Sequence, residues 1–318
     1  MYQDKRFLLI AGGGTLGTYT AEELLSHGAY VDIVCPEEKV SANDRLRFYR
    51  GMATDELLAE IFAACHYDGI VNFIHYPDEK EYFRVHDFLM SHTDHLIFLS
   101  SYRVYANEQH PVTEDAPRLY DVVKDDPDFL ASEDYAVPKS KCEDFLRTAH
   151  ASEAWTIVRP VISFSDRRLD LLLYSGGEVL EYAARGEEMI LPAMVKDFTA
   201  GIDWAGNSGK LIANLLLKRD AFGKTYTVYS GHGMTWGDVA AAYGERVGLK
   251  VKWVEDPEEF YQALPRITPD TYIWKYDRAF NRDIDASRVL AVTGLTQADF
   301  KSVADGITIE AEKRQRGC

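Results

Sequence analysis

The sequence predicts an α/β protein built on a doubly wound parallel sheet, and three observations carry that prediction. Short apolar runs alternate with amphipathic helical stretches through the first half of the chain. The runs are continuous rather than alternating, as in strands covered by helices on both faces. A glycine-rich turn, "AGGGTLG", joins the first apolar run to the first helical stretch.

Taken in order, "RFLLIA" reads as a buried strand. In "TYTAEELLSHG" the residues Tyr19, Leu24 and Leu25 recur at helical spacing, and Gly28 stands where a helix would end. "YVDIV" is a second strand, and "TDELLAEIFAAC" a helix that Thr54 or Asp55 can cap. "GIVNFI" is a strand, "KEYFRVHDFLMSH" a helix, "HLIFLSS" a strand, "DYAVPKSKCEDFLRTAHA" a helix and "WTIVRPVI" a strand. Such alternation requires right-handed crossovers and hence a parallel sheet with helices on both faces.

Past Ser163 the rhythm weakens. "DLLLYSGGEVLEYAARG" and "KLIANLLLKRD" read as mostly helical, "KTYTVYS" as a strand, and "WGDVAAAYGERVG" and "ADFKSVADGITIEAEKR" as helices. The expected division is a dinucleotide-binding domain over 1–164 and a mainly substrate-binding α/β region over 165–318, with a strand near 224–230 returning to the sheet.

The 318 residues are more than one core usually needs. Hydrophobic residues make up 46% and charged ones 27%, as in a folded globular chain. The 35 basic and 51 acidic residues give a net charge of −16. That field repels nucleic acid and anionic membranes, and the one basic cluster, "EKRQRG", reads as a solvated helix end. Cys35, Cys65, Cys142 and Cys318 are scattered with no CxxC pair, which points to a reduced interior. "FLLIA" is too short for a signal-peptide core, so a cytoplasmic protein is expected.

Gly12, Gly14 and Gly17 form G-x-G-x-x-G between a strand and a helix, the dinucleotide-binding signature of the Rossmann architecture. Its glycines are expected to adopt backbone angles that side chains resist and to let a pyrophosphate come close. Thr15 and Leu16 head the helix, whose N–H groups and dipole favour that anion. The ribose-reading position after the second strand falls on Cys35, with Glu37 two residues on. Glu37 would hold a ribose diol, whereas Lys39 or Arg45 would meet a 2′-phosphate, so NAD and NADP both remain open.

Two further stretches carry chemistry, "IFLSSYRVY" at a strand end and "DYAVPKSK" at a helix start. Tyr135 and Lys139 are four apart and share a helix face. An ammonium beside a phenol favours its anion and suits it to proton transfer. A serine of the strand end can hydrogen-bond the substrate oxygen. Pro138, between the pair, fits only a first helical turn.

The glycine loop, "SSYRVY" and "YAVPK", in that order, resemble the extended short-chain dehydrogenase/reductases, also called the NAD-dependent epimerase/dehydratase family. "VTEDAP", "VRP" and "VKDFTAGID" extend the likeness over most of the chain. The resemblance implies a catalytic triad of Ser101, Tyr135 and Lys139, with Lys139 also holding the nicotinamide ribose. It implies hydride exchange with NAD or NADP at a carbinol or ketone carbon of a nucleotide sugar or related polar metabolite, and a homodimer formed through helices of the sheet domain. Lys196 in "VKD" stands where many members grip a substrate diphosphate. Ala11 replaces the family's first glycine, Met52 an acidic adenine contact, and Ile162 an asparagine common in nucleotide-sugar enzymes. No acidic residue directly follows Ser101, so the acid–base pair of sugar 4,6-dehydratases is missing. Two alternatives stay open: a reductase of a small carbonyl compound without a nucleotide, and a non-catalytic dinucleotide-sensing or RNA-binding relative.

His75, at a strand end, is expected near the nicotinamide. His75, His86, His92 and His95 crowd one stretch, but the intervening helix should spread them, and no metal site is expected. Trp274, Tyr276 and Arg278 can stack on and clamp a base or phosphate. "DVVKDDPDFLASED" reads as an acidic inserted loop, a lid or solvated decoration.

Overall fold

The computed structural model describes residues 2–133 and 135–316. Asp134, which opens the stretch quoted around Tyr135, and Cys318 lie outside the described residues.

The apolar runs become strands β1 (Arg6–Ile10), β2 (Tyr30–Cys35), β3 (Leu46–Arg50), β4 (Gly69–Asn72), β5 (Leu96–Leu99) and β6 (Trp155–Pro160). Then follow β7 (Ile162–Phe164), β8 (Glu188–Pro192), β9 (Ile202–Trp204), β10 (Lys224–Val228) and β11 (Lys250–Val254). Seven of them form one parallel sheet in the order β10-β6-β5-β4-β1-β2-β3. The chain reverses its winding at β1, so the carboxyl ends of β1 and β4 flank a crevice where such sheets bind ligands. Helices Thr15–Ser26, Asp55–Ala64, Glu79–Met90 and Ala136–Ala149 supply the crossovers. Phe7, Leu9 and Val31 face one buried layer and Leu8, Ile10 and Ile70 the other. This two-sided burial explains the continuous apolar runs. No described helix is long and apolar enough to cross a membrane.

Several elements differ from expectation. β3 was not anticipated because "LRFYR" carries charge; it is the sheet's edge strand and only half-buried. "WTIVRPVI" is not one strand: the chain leaves the main sheet at Val161, and β7 pairs with β9 instead. In "DLLLYSGGEVLEYAARG" only Glu178–Arg185 is helical. The acidic insertion is two short helices, Leu119–Val122 and Pro127–Ser132, and its Phe129 is buried against Tyr272 and Tyr276. It is packed structure rather than a solvated loop.

A buried ion pair locks the helix Ala136–Ala149 onto the sheet. Arg159 of β6 forks onto Glu143 of that helix, at 2.8 Å from Nε and 2.5 Å from Nη2, with both side chains buried. Burial alone would raise the Glu143 carboxyl; the charges of Arg159 and Arg147 overcome that and hold it down at about 2. Breaking such a pair strands a buried charge, so Glu143→Gln is expected to cost about 3–5 kcal/mol in urea denaturation. The folded carboxyl lies below its ordinary value of 4.5. Its stabilisation is therefore whole above about pH 4.5 and lost as pH falls toward 2. The wild type should lose stability through that acid window more steeply than the variant.

Candidate active site

The glycine turn follows β1 and opens the helix Thr15–Ser26. The reason for its glycines is space rather than backbone angle. None of Gly12, Gly14 and Gly17 has positive φ; Ala11 does, at 55°. A Cβ on Gly17 would lie 2.2 Å from the Gly12 carbonyl oxygen, so the helix can approach the turn only without one. A Cβ on Gly14 would meet nothing within 4 Å of the protein and would point into open space. Gly14 is the residue before the helix, and no side chain caps the helix start. Free N–H groups thus face a cavity wall stripped of side chain, the arrangement that fits a pyrophosphate.

A cavity of about 370 Å³ lies above this turn, lined by Gly14, Thr15, Leu16 and Gly17 on one side and by Ser101, Tyr135 and Arg278 on the other. A second cavity, about 560 Å³, is lined by Cys35, Met52 and His75, and Ala11 and Phe73 border both. The carboxyl ends of β1, β2, β4 and β5 place these residues. The apolar lining around Met52, Ala53 and Leu58 suits an adenine ring.

Tyr135 is the residue immediately before the helix Ala136–Ala149. Glu133 holds that helix start, its carboxylate accepting from the N–H groups of Tyr135 and Val137 at 2.9 Å each. Pro138 falls in the first turn, where its missing N–H is harmless. One turn on, Lys139 is buried, and its Nζ donates to the Leu99 carbonyl at 2.7 Å and lies 5.3 Å from the Tyr135 ring centre. Burial lowers the Lys139 ammonium's pKa, against the opposing pull of Tyr135. The phenol is half-buried and lines the cavity, and the His75 ring lies 4.9 Å from it, centre to centre. Ser101 is buried at the head of a short helical turn, where its Oγ accepts from the Arg103 N–H at 3.2 Å.

The structure does not bring every sequence candidate here. Lys196 is exposed, lies over the Trp253 ring at 5.8 Å and lines neither cavity. Arg45 bonds Asp4 and the Gly28 carbonyl, at the amino end of β2, far along the strand from a ribose site. Lys39 does reach the turn, its Nζ donating to the Gly13 carbonyl at 2.6 Å. Glu37 is exposed, and its carboxylate lies near Gly13. Trp274 and Tyr276 are bonded within the protein: Trp274 is buried and bonds Tyr261, and Tyr276 packs on Phe129 and bonds Asp126. His75, His86, His92 and His95 do not converge on one another, but His86 meets Asp87, His150 and Glu153 with ligand atoms within 4.8 Å of one another. His95 bonds Thr156 inside the sheet and His92 stacks on Phe62, while His86 and His150 both bond Glu153.

Two residues that sequence reasoning passed over line the cavity, Arg103 and Arg168. Arg103 sits within "SSYRVY", and only the fold turns its guanidinium onto the Tyr135 ring, 4.6 Å from the centre. Arg278 is buried, with Leu172, Tyr102 and Asp277 as partners of its Nε and Nη1.

Nearly the whole chain has the fold of solved epimerases and related NAD-bound structures. An epimerase from Methanothermobacter thermautotrophicus matches 99% of this chain and 95% of its own, with TM-score 0.70 and 13% identity. The Bordetella bronchiseptica enzyme WbmG, solved with NAD and UDP, matches 98% and 95%, with TM-score 0.69 and 16% identity. MoeE5, solved with UDP-glucuronic acid and NAD, matches 98% and 100%, with TM-score 0.67 and 16% identity. No family model and no curated protein matches the sequence. The chain has the extended short-chain dehydrogenase/reductase fold, that of the NAD-dependent epimerases.

Proposed function

We propose that this protein is an NAD(P)-dependent enzyme that moves a hydride to or from a carbinol or ketone carbon of a nucleotide sugar or related polar metabolite. One observation carries the reading: the Tyr135 phenol, with the Lys139 ammonium beneath its ring, shares a cavity with the uncapped helix start behind Gly14. Gly12, Gly14, Thr15, Leu16 and Gly17 would hold the pyrophosphate, Cys35 and Glu37 the adenosine side, and Lys139 and His75 the nicotinamide side. When bound, the cofactor supplies or accepts the hydride.

The chain's own residues do the rest. Ser101 holds the substrate oxygen through its hydroxyl. Tyr135 takes the proton from that oxygen on oxidation and returns it on reduction. Lys139 favours the phenolate during transfer, and being buried it does so with little screening from water. Solved relatives of the same fold hold UDP or UDP-glucuronic acid with NAD, which supports a nucleotide-sugar substrate.

The exposed position of Lys196 favours a second reading, a reductase of a small carbonyl compound with no nucleotide handle. Two measurements separate them. Mass spectrometry of the ligand released on denaturing the purified protein should find tightly held NAD if hydride is recycled within one turnover. Thermal shifts with UDP and dTDP should be positive for a nucleotide-sugar enzyme. Indifference to every nucleoside diphosphate selects the reductase, and failure to bind any nicotinamide dinucleotide removes both readings.

A further inference from the structure

Three guanidiniums border the reaction cavity, and of the two that are not exposed Arg103 is the less bonded to the protein among the described residues. Arg278 makes three bonds through its Nε and Nη1, and Arg168, whose side chain is exposed, holds Asp170 through its Nε at 2.7 Å. Arg103 makes one long bond, Nη2 to Glu133 at 3.5 Å, and its next carboxylate, Asp277, is 3.8 Å away. Its Nε is buried without a hydrogen-bond partner among the described residues. A guanidinium has five N–H donors in a planar fork, so most of this fork is unused.

The neighbouring carboxylates are already committed. Glu133 accepts from two backbone N–H groups, and Asp277 accepts from Arg278, Arg282 and Tyr102. Among the described residues, counting Arg103, Arg168, Arg278 and Arg282 against Glu133, Asp170 and Asp277 leaves one positive charge in excess, before Lys139 is added. In a chain of net charge −16 this is a deliberate local reversal of sign. The fork also stands in a particular place, over the Tyr135 ring and two residues beyond Ser101. An anionic group reaching it must sit beside the reacting carbon, not at the far, nucleotide end of a substrate.

We infer that Arg103 is a specificity-determining residue that selects substrates bearing a carboxylate next to the carbon where hydride is exchanged, such as a uronic acid rather than the neutral sugar. This rests on the functional reading above and adds to it the charge of the reacting unit. A carboxylate would pair with the fork in two parallel bonds, filling the unused donors of Arg103. A neutral hydroxymethyl group would leave them buried and unmet.

The test is calorimetric titration of the cofactor-loaded protein with UDP-glucuronate and UDP-glucose, for wild type, Arg103→Gln and Arg103→Lys. Wild type should bind UDP-glucuronate tighter by about 10- to 100-fold, the range of a charge-assisted hydrogen-bonded pair. Arg103→Gln should abolish the preference, and Arg103→Lys should keep part of it, since charge remains but the fork does not. Unchanged cofactor affinity would show that the variants still fold. Equal wild-type affinity for the two sugars, or a preference that survives in Arg103→Gln, overturns the inference while leaving the functional reading intact. If neither nucleotide sugar binds, the nucleotide part of that reading fails. Saturation-transfer NMR with methyl glucuronoside and methyl glucoside then decides the inference alone, and lack of discrimination there overturns it.

Discussion

Tyr135→Phe should reduce turnover about a thousandfold or more while leaving cofactor affinity within a factor of two or three, since removing a positioned acid–base group costs roughly 10²–10⁴. The substitution removes one oxygen atom. The ring stays, and so do its packing against His75, its contact with the Arg103 guanidinium and the Lys139 ammonium beneath it. The backbone N–H of residue 135 keeps its bond to Glu133, so the helix start is unaltered. A loss of turnover therefore reports on the phenolic proton and not on the fold. The measurement pairs steady-state rates across a panel of UDP sugars and small ketones with a fluorescence titration of reduced cofactor. Full activity in the variant would remove Tyr135 from the chemistry and with it the proposed mechanism.

The glycine turn gives the second large effect, through two substitutions that look alike in sequence and differ in space. Gly17→Ala places a Cβ 2.2 Å from the Gly12 carbonyl oxygen and 2.4 Å from its Cα, both backbone atoms that cannot step aside. Overpacking of this kind costs about 1–3 kcal/mol or more, and the turn proposed to cradle the pyrophosphate must move. Thermal stability and cofactor affinity should fall together. Gly14→Ala meets no protein atom within 4 Å and has φ −82°, which any residue adopts. Its stability should drop by no more than about 1 kcal/mol, the usual scale of a change at a helix cap. Yet its methyl group occupies the open space the phosphates need, so cofactor affinity should fall at least about tenfold, as for loss of a charge-assisted hydrogen bond. Comparing melting temperature with cofactor titration for both variants separates the roles. Normal cofactor binding by Gly14→Ala would show that the pyrophosphate does not lie there.

The main sheet was legible because its strands obey a local rule. A strand buried on both faces is mostly apolar, and "FLLI" and "LIFL" announce it without reference to distant residues. β3 escaped because an edge strand pays no penalty for arginines, and "LRFYR" therefore resembles loop. Tyr135 and Lys139 were legible for a related reason: four residues on one helix set their relative placement whatever surrounds them. Lys196 read as a ligand contact from its place in the family resemblance and Trp274 from residue type, and neither carries direction. The fold turned the lysine outward over Trp253 and the tryptophan inward to Tyr261.

The order of strands and helices, the glycine turn and the Tyr–Lys pair were determined by the sequence itself, because each depends on neighbours a few residues away. Tertiary structure alone decided which charged groups face the cavity. Arg103 meets Tyr135 only when β5 and β6 pair and the helix following Glu133 packs across them. Asp277 reaches the same place across more than a hundred residues of chain, accepting from Tyr102 and standing 3.8 Å from Arg103. Electrostatic fields add over space and not along the chain, so the sign of the site becomes defined only once the chain has closed around it.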